Sequence, residues 1–294
     1  MNLRDYLDRQ QQLVDAELDR LAPPAATPPV TIHRAMRYSL FAGGKRLRPI
    51  LCMEAARAIS GDAAGAETAA CALEMIHTYS LIHDDLPALD NDDLRRGKPT
   101  CHKVFGEAMA ILAGDALLTL AFQVLGAIES VDAAARAAMV LELATASGTP
   151  GGMIAGQVSD LEGEGKTPDP LLLESIHRAK TGALLRASLR IGAIYAGASR
   201  EQFEALSLYG EHVGLAFQIV DDVLDVVESS EALGKTPGKD AAQQKITFPA
   251  VYGLEQSRRM AERERELAHA ALASLGARAA RLKELADLIV HRRA

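Results

Sequence analysis

Two acidic clusters set out what this chain could do chemically. The first, in "HDDLPALDNDDLRRGKPT" (residues 83–100), places five aspartates, Asp84, Asp85, Asp90, Asp92 and Asp93, within ten residues and follows them with Arg95 and Arg96. The second, in "FQIVDDVLD" (residues 217–225), holds Asp221, Asp222 and Asp225. On a helix, Asp221 and Asp225 are about 40° apart in rotation and roughly 6 Å apart in rise, so both carboxylates reach one side, beside Gln218. An acidic triplet on a helix is ordinarily a solvated face. Here both flanks are apolar, and like charges at the edge of a hydrophobic interior repel and lose hydration unless something positive compensates. Carboxylate oxygens at this spacing suit a hard cation, and magnesium binds one or two carboxylates plus substrate phosphates in preference to a full protein cage.

The first cluster has a different geometry. Asp90 lies six residues beyond Asp84, a rotation of about 240° on a straight helix, which would turn it away. Pro87 intervenes. Inside a helix it removes a hydrogen bond and clashes with the preceding turn, so the chain is expected to kink or loosen there, at the end of a helix, and to return Asp90 toward Asp84. Groups that could meet anionic oxygen recur along the chain: Lys45 and Arg48 beside Gly44 in "GGKRLRP", Arg95 and Arg96, Lys180 in "RAKTGA", Lys235 in "LGKTPGKD" and Lys245 in "QQKITFP". A guanidinium fork matches phosphate oxygens, and an ammonium acts as a point charge. Any one of these alone is ordinary surface solvation. Their recurrence beside glycines and acidic clusters points to a ligand rich in anionic oxygen.

The elements that must position these groups read as helices. From Leu206 to Val227, the apolar residues Leu206, Tyr209, Val213, Phe217, Val220, Leu224 and Val227 step by three or four, one helical stripe. Period-two alternation between hairpin turns is not evident. Helix punctuation recurs at "PPAATPPV", "AGGKRLRP" and "SGTPGG", and about ten helices are expected. At 294 residues, 48% hydrophobic but only 4% aromatic, the core must be built from Ala, Leu, Ile and Val, which favours closely packed helices. No long linker splits the chain, so a single all-α domain over residues 1–294 is expected. Residues 257–294 alternate charge with Leu and Ala, as a solvated C-terminal helix pair would.

Composition excludes some functions. A net charge of -7 with no clustered basic face argues against nucleic acid as a partner. The run "AILAGDALLTLAFQVLGAI" (residues 110–128) is long enough to span a membrane but carries Asp115 and Gln123, and it reads as a buried helix. The N-terminal "MNLRDYLDRQ" mixes charges and has no apolar stretch, unlike a signal peptide or anchor. Cys52, Cys71 and Cys101 lack the paired spacing of a zinc or redox site, which suits buried thiols in a reducing cytoplasm.

The motifs "GGKRLRP", "HTYSLIHDDLPALDNDDLRRGKPTCH", "AKTG", "FQIVDDVLD" and "LGKTPGKDAAQQKITFP", in this order, resemble those of the trans-isoprenyl diphosphate synthases. The resemblance spans nearly the whole chain, most clearly residues 32–249. It implies an all-α bundle around a deep central cavity, a homodimer, and three magnesium ions per active site. It also implies that Asp84, Asp85, Asp90, Asp221 and Asp225 hold magnesium on an allylic diphosphate, with Arg95, Lys180 and Lys235. Asp222 joins these among the catalytic candidates. Gly44, Lys45, Arg48, His77, Arg96 and Lys245 resemble groups that bind the diphosphate substrates, and Thr181 and Gln218 groups that face the carbocation. Without that context, His77 would read as a satisfied core histidine.

The inserted first motif and "HTYSLIHDDLP" look most like bacterial members that make the fifteen-carbon farnesyl product. Tyr79 and Ser80 precede Asp84 by five and four residues, roughly 6 to 8 Å back along the helix, where a bulky side chain could stop a growing tail. Ordinary core packing is the plainer reading of Tyr79. A geranylgeranyl diphosphate synthase is the nearest competing reading. From another class stands a non-catalytic partner subunit, which requires losses at the metal or diphosphate positions that the sequence does not show. The glycines and lysines of residues 229–245 suggest a lid over the substrate.

Overall fold

The computed structural model describes residues 2–167, 169–227 and 245–292. Lys235 and nearly all of the expected lid segment lie outside these residues. In chain order the helices are α1 (Leu3–Leu21), α2 (Val30–Leu40), α3 (Leu47–Ser60), α4 (Ala66–Asp84), α5 (Cys101–Phe105), α6 (Glu107–Gly126) and α7 (Ala133–Ser147). They continue with α8 (Met153–Gly163), α9 (Pro170–His177), α10 (Ala183–Tyr195), α11 (Arg200–Val227), α12 (Phe248–Tyr252), α13 (Leu254–Ala271) and α14 (Ala280–His291). The all-α expectation holds, with more short helices than the periodicity suggested.

Helix α4 packs between α3 and α6, α10 against α3, α7 and α11, and α11 against α13. The main apolar cluster draws on helices from α1 to α14, including Val14, Leu51, Leu73, Leu117, Leu185, Tyr209 and Leu285. Alanines and leucines dominate it, as the scarcity of aromatics requires. The stripe on α11 is buried at Leu206, Tyr209, Val213, Val220 and Leu224, while Val227 at its end is exposed. The C-terminal pair α13 and α14 packs together, and Leu282, Leu285, Ala286 and Ile289 of α14 enter the core.

Three local features differ from the sequence expectation. Helix α4 does not run through a kink at Pro87. It ends at Asp84, because the residue before a proline is driven out of the helical region and the turn must open earlier. After it, Leu94–Arg95 pairs antiparallel with Lys98–Pro99 across Arg96 and Gly97, both at positive φ (54° and 74°). That is the chemistry of a tight hairpin, hidden in "LRRGKP" because each strand is only two residues long. Finally, α6 is half buried: Ala113, Leu117, Ala121 and Leu125 pack inward while Ile111, Leu112 and Asp115 face out. Among the described residues it is the one helix long and apolar enough to cross a membrane.

Candidate active site

The two acidic clusters face one another across a cavity of about 690 Å³. Asp84 and Asp90 line one wall, and Asp221, Asp222 and Asp225 line another. The expected return of Asp90 is achieved by the loop after α4: the Asp90 amide donates to the Asp84 carbonyl at 2.8 Å, and the Asp92 amide to the Asp85 carbonyl at 3.2 Å. Burial, with Asp90 and Asp85 nearby, pushes the Asp84 carboxyl up to about 6, although Lys180 and Arg95 oppose the rise.

The adjacent residues within each pair do different work. Asp85 is buried and does not line the cavity; its Oδ1 accepts from Arg95 Nε at 2.7 Å and Nη2 at 2.6 Å. Asp222 is also buried, and both of its oxygens are used: Gln218 Nε2 donates to Oδ1 at 2.9 Å and the Phe248 amide to Oδ2 at 2.9 Å. His177 Nε2 lies 3.3 Å from the same Oδ2, its ring stacked on Phe248. Gln218 Oε1 in turn accepts from the Thr181 hydroxyl at 2.8 Å. Asp85 and Asp222 thus fix their surroundings, leaving Asp84, Asp90, Asp221 and Asp225 as the carboxylates best placed to take a cation.

Among the described residues no three acidic, histidine or cysteine side chains gather closely enough to hold a cation unaided. All the candidate donors are carboxylate oxygens, split between two walls. This donor set fits magnesium, which completes its shell with water and substrate phosphate oxygens.

Lys180 and Thr181 sit in a π-helical turn, Arg178–Gly182, that joins α9 to α10. The extra residue in such a turn pushes its side chains out of the helical stripe and toward the cavity. Helix α8 approaches this turn so closely that a Cβ on Gly156 would lie 2.1 Å from the Lys180 amide nitrogen. The approach lets Lys180 Nζ bond Asp160 Oδ2 at 2.6 Å. Lys245 Nζ spans the walls, 3.4 Å from Asp90 Oδ1 and 3.9 Å from Asp160 Oδ2.

The basic loop between α2 and α3 meets the hairpin. The Arg96 guanidinium lies on Gly44, where a Cβ would come within 2.4 Å of Nη1, and it also bonds the Gly43 carbonyl. Arg48 lines the cavity, and its buried Nε has no hydrogen-bond partner. Burial lowers its guanidinium to about 10, against the pull of Glu74. His77 lines the cavity as well, and burial next to Arg48, Arg96 and Arg95 holds it well below the usual histidine range, hence neutral. Lys45 is exposed and does not line the cavity, and partial desolvation and then Arg292 lower its ammonium.

Tyr79 lines the cavity on the α4 side, five residues before Asp84. Its ring meets His83 edge-on at 5.7 Å, its hydroxyl is buried without a partner, and burial with Asp84 nearby raises it to about 12. Ser80 also lines the wall, with its hydroxyl turned back to the His77 carbonyl at 2.8 Å.

Several residues here escape the sequence reading. Asp160 and Gln157 stand on α8 in "GQVSD", outside both aspartate clusters; the bond from Lys180 reveals Asp160, and the cavity lining reveals Gln157. Arg292, past the end of α14, donates through Nη2 to Asp221 Oδ1 at 3.1 Å and lies 4.0 Å from the centre of the Phe217 ring. Its signal was buried in a run of C-terminal charge.

A helical bundle closed around a cavity with facing acidic walls and a basic rim is the architecture of the isoprenoid synthases. The chain belongs to the Polyprenyl synthetase family, whose profile matches residues 29–289, and it is a prenyltransferase. It is 50% identical to Geranylgeranyl pyrophosphate synthase 12, chloroplastic, of Arabidopsis thaliana, over 99% of this chain and 82% of that one. It is also 50% identical to the Farnesyl diphosphate synthase of Geobacillus stearothermophilus, over 86% of each chain. Among solved structures, an FPP/GFPP synthase from Zymomonas mobilis superposes with a TM-score of 0.87 at 38% identity, covering 98% of this chain and 99% of that one.

Proposed function

We propose that this prenyltransferase condenses isopentenyl diphosphate with dimethylallyl and then geranyl diphosphate to give farnesyl diphosphate. The observation that carries the fifteen-carbon product is Tyr79, whose ring bounds the cavity about one and a half turns of α4 from Asp84. The allylic diphosphate belongs between the facing carboxylates and Lys180. Magnesium held there by Asp84, Asp90, Asp221 and Asp225 would neutralise the leaving diphosphate as its bond to the allylic carbon breaks.

The remaining roles fall to the chain's own groups. Arg48, Arg96 and neutral His77 receive the isopentenyl diphosphate, with Arg48 Nε offering an unused donor. The isopentenyl double bond then attacks the allylic cation, and the departing diphosphate takes the proton lost from the product. Thr181 and Gln218, bonded to one another, present polar oxygen to the cation without a nucleophile free to trap it. Arg95 orients Asp85 and the hairpin.

Two further parts of the reading are proposals. Ile111 and Leu112 on α6 and Leu141 on α7 are exposed, which supports a homodimer through this face. The three cysteines are buried and free, which suits a reducing compartment such as the cytoplasm. The test of the product assignment is chain-length analysis of the parent and of Tyr79→Ala with isopentenyl and geranyl diphosphates. A fifteen-carbon product from the parent and a twenty-carbon or longer product from the variant support it. A parent that already yields twenty carbons would favour the geranylgeranyl reading instead.

A further inference from the structure

Between Lys45 and Arg48 stands a guanidinium that does not reach the cavity. Arg46 adopts a left-handed backbone, φ 48° and ψ 36°, which is rare for a residue with a side chain and persists only when the surroundings impose it. Its side chain is buried, and it binds three separate elements. Nε donates to Asp15 Oδ1 of α1 at 2.8 Å, Nη1 to Glu74 Oε1 of α4 at 2.8 Å, and Nη2 to the Leu40 carbonyl at the end of α2 at 2.6 Å. Glu74, equally buried, sits one turn before His77 on the helix that ends at Asp84.

A buried ion pair contributes little net stability compared with an apolar pair of similar volume, so stability alone is a weak reason for this arrangement. Its geometric consequence is specific. Pinning Arg46 inward fixes where the loop turns into α3, and with it the direction in which Arg48 enters the cavity. The same loop carries Gly44, against which the Arg96 guanidinium lies. Among the acidic groups, Glu74 also acts most strongly on the charge of both Arg48 and Arg96. One carboxylate on α4 thus bonds Arg46 and opposes the charge of both Arg48 and Arg96.

We infer that Arg46 and Glu74 form a positioning pair for the non-allylic diphosphate: they touch no substrate, but they hold the loop so that Arg48 and Arg96 converge beside His77. This rests on reading the cavity as a site for two diphosphates. It assigns the pair chiefly to one substrate, because Asp160, Lys180, Asp221 and Asp225 stand on α8, the π-turn and α11, to none of which Arg46 is hydrogen-bonded, and on α4 its partner Glu74 lies ten residues before Asp84.

Two variants test it. Arg46→Lys keeps a charge beside Glu74, but its donors sit on one nitrogen and cannot span the three acceptors that Nε, Nη1 and Nη2 reach separately, and the double variant Arg46→Met with Glu74→Met removes the pair without leaving either member as a buried unpaired charge. For each, the thermal midpoint is measured alongside kcat and the KM for isopentenyl diphosphate and for geranyl diphosphate separately. The expected result is a KM for isopentenyl diphosphate raised about tenfold or more, with the KM for geranyl diphosphate within about twofold of the parent, in both variants. Unchanged KM values with a lowered midpoint would show the pair to be structural only, and equal rises in both KM values would show general damage; either overturns the inference. A parent that turns over neither substrate would instead remove the reading of the site on which the inference stands.

Discussion

Asp84 sits where a carboxylate is costly: beside Asp85 and Asp90, at the wall of a cavity whose burial raises it to about 6. A carboxyl raised above its unfolded value favours the protonated fold, so its ionisation costs stability fully above about pH 6, and the cost disappears as the pH falls toward the ordinary carboxylate range near 4. Asp84→Asn should therefore raise the thermal midpoint of the ion-free protein by about 3 °C at pH 7.5, and the gain should shrink toward pH 4. The same variant should lower kcat by at least about a hundredfold. Scanning calorimetry across pH, with turnover assays alongside, checks both parts; a lower midpoint at neutral pH would contradict the assigned cost. That Asp221 and Asp225 share a side was legible in the sequence from helical spacing, whereas Asp90 was brought to Asp84 there only by the break expected at Pro87. The separate duties of Asp85 and Asp222 were not legible, since their partners, Arg95 and the Phe248 amide, come from ten and 26 residues away in the chain.

At the scale of elements, the site depends on close approaches that only particular residues allow. Gly156 lets α8 lie against the π-turn, and a Cβ there would meet Lys180 backbone atoms at 2.1 Å and 2.5 Å. Gly156→Ala should push the turn away, break the bond from Lys180 to Asp160, and cost about 1–3 kcal/mol of stability. Denaturant unfolding reads the stability, and kcat should fall together with it; a variant as stable and active as the parent would show that the contact can relax without consequence. Gly44→Ala addresses the other half of the cavity. It places a Cβ in the Arg96 guanidinium and a side chain at φ 129°, so isopentenyl diphosphate should bind at least about tenfold more weakly, as measured by its KM. The helices themselves were readable from periodicity and punctuation. The π-turn and the two-residue ribbon were not, because a single inserted residue or a pair of residues is too short to establish a period, and "GQVSD" resembles any other helical stretch until α8 is packed.

Across the whole molecule, the site is assembled from distant segments: the first turn of α3, the end of α4 and the hairpin after it, α8, the turn before α10, the end of α11, and residues 245–247. The C-terminus joins them through Arg292 on Asp221. Family resemblance named most of these segments from sequence, yet their convergence rests on the long-range packing of α4, α10 and α11 within the bundle. The exposed apolar face of α6 belongs to this scale as well. The proposed homodimer predicts that the parent has a dimer's mass by light scattering after gel filtration and that Ile111→Glu combined with Leu112→Asp lowers it to a monomer's; a monomeric parent, or a dimeric variant, would contradict a dimer through this face. The central claim is that one cavity joins two diphosphate substrates with the help of a divalent cation. The most direct measurement is incubation of the purified protein with isopentenyl and dimethylallyl diphosphates, with and without magnesium, followed by chain-length analysis of the dephosphorylated products. The account predicts a fifteen-carbon alcohol that forms only with magnesium present. Folded protein that gives no prenyl product, or the same yield of product with the cation removed by chelation, would contradict it.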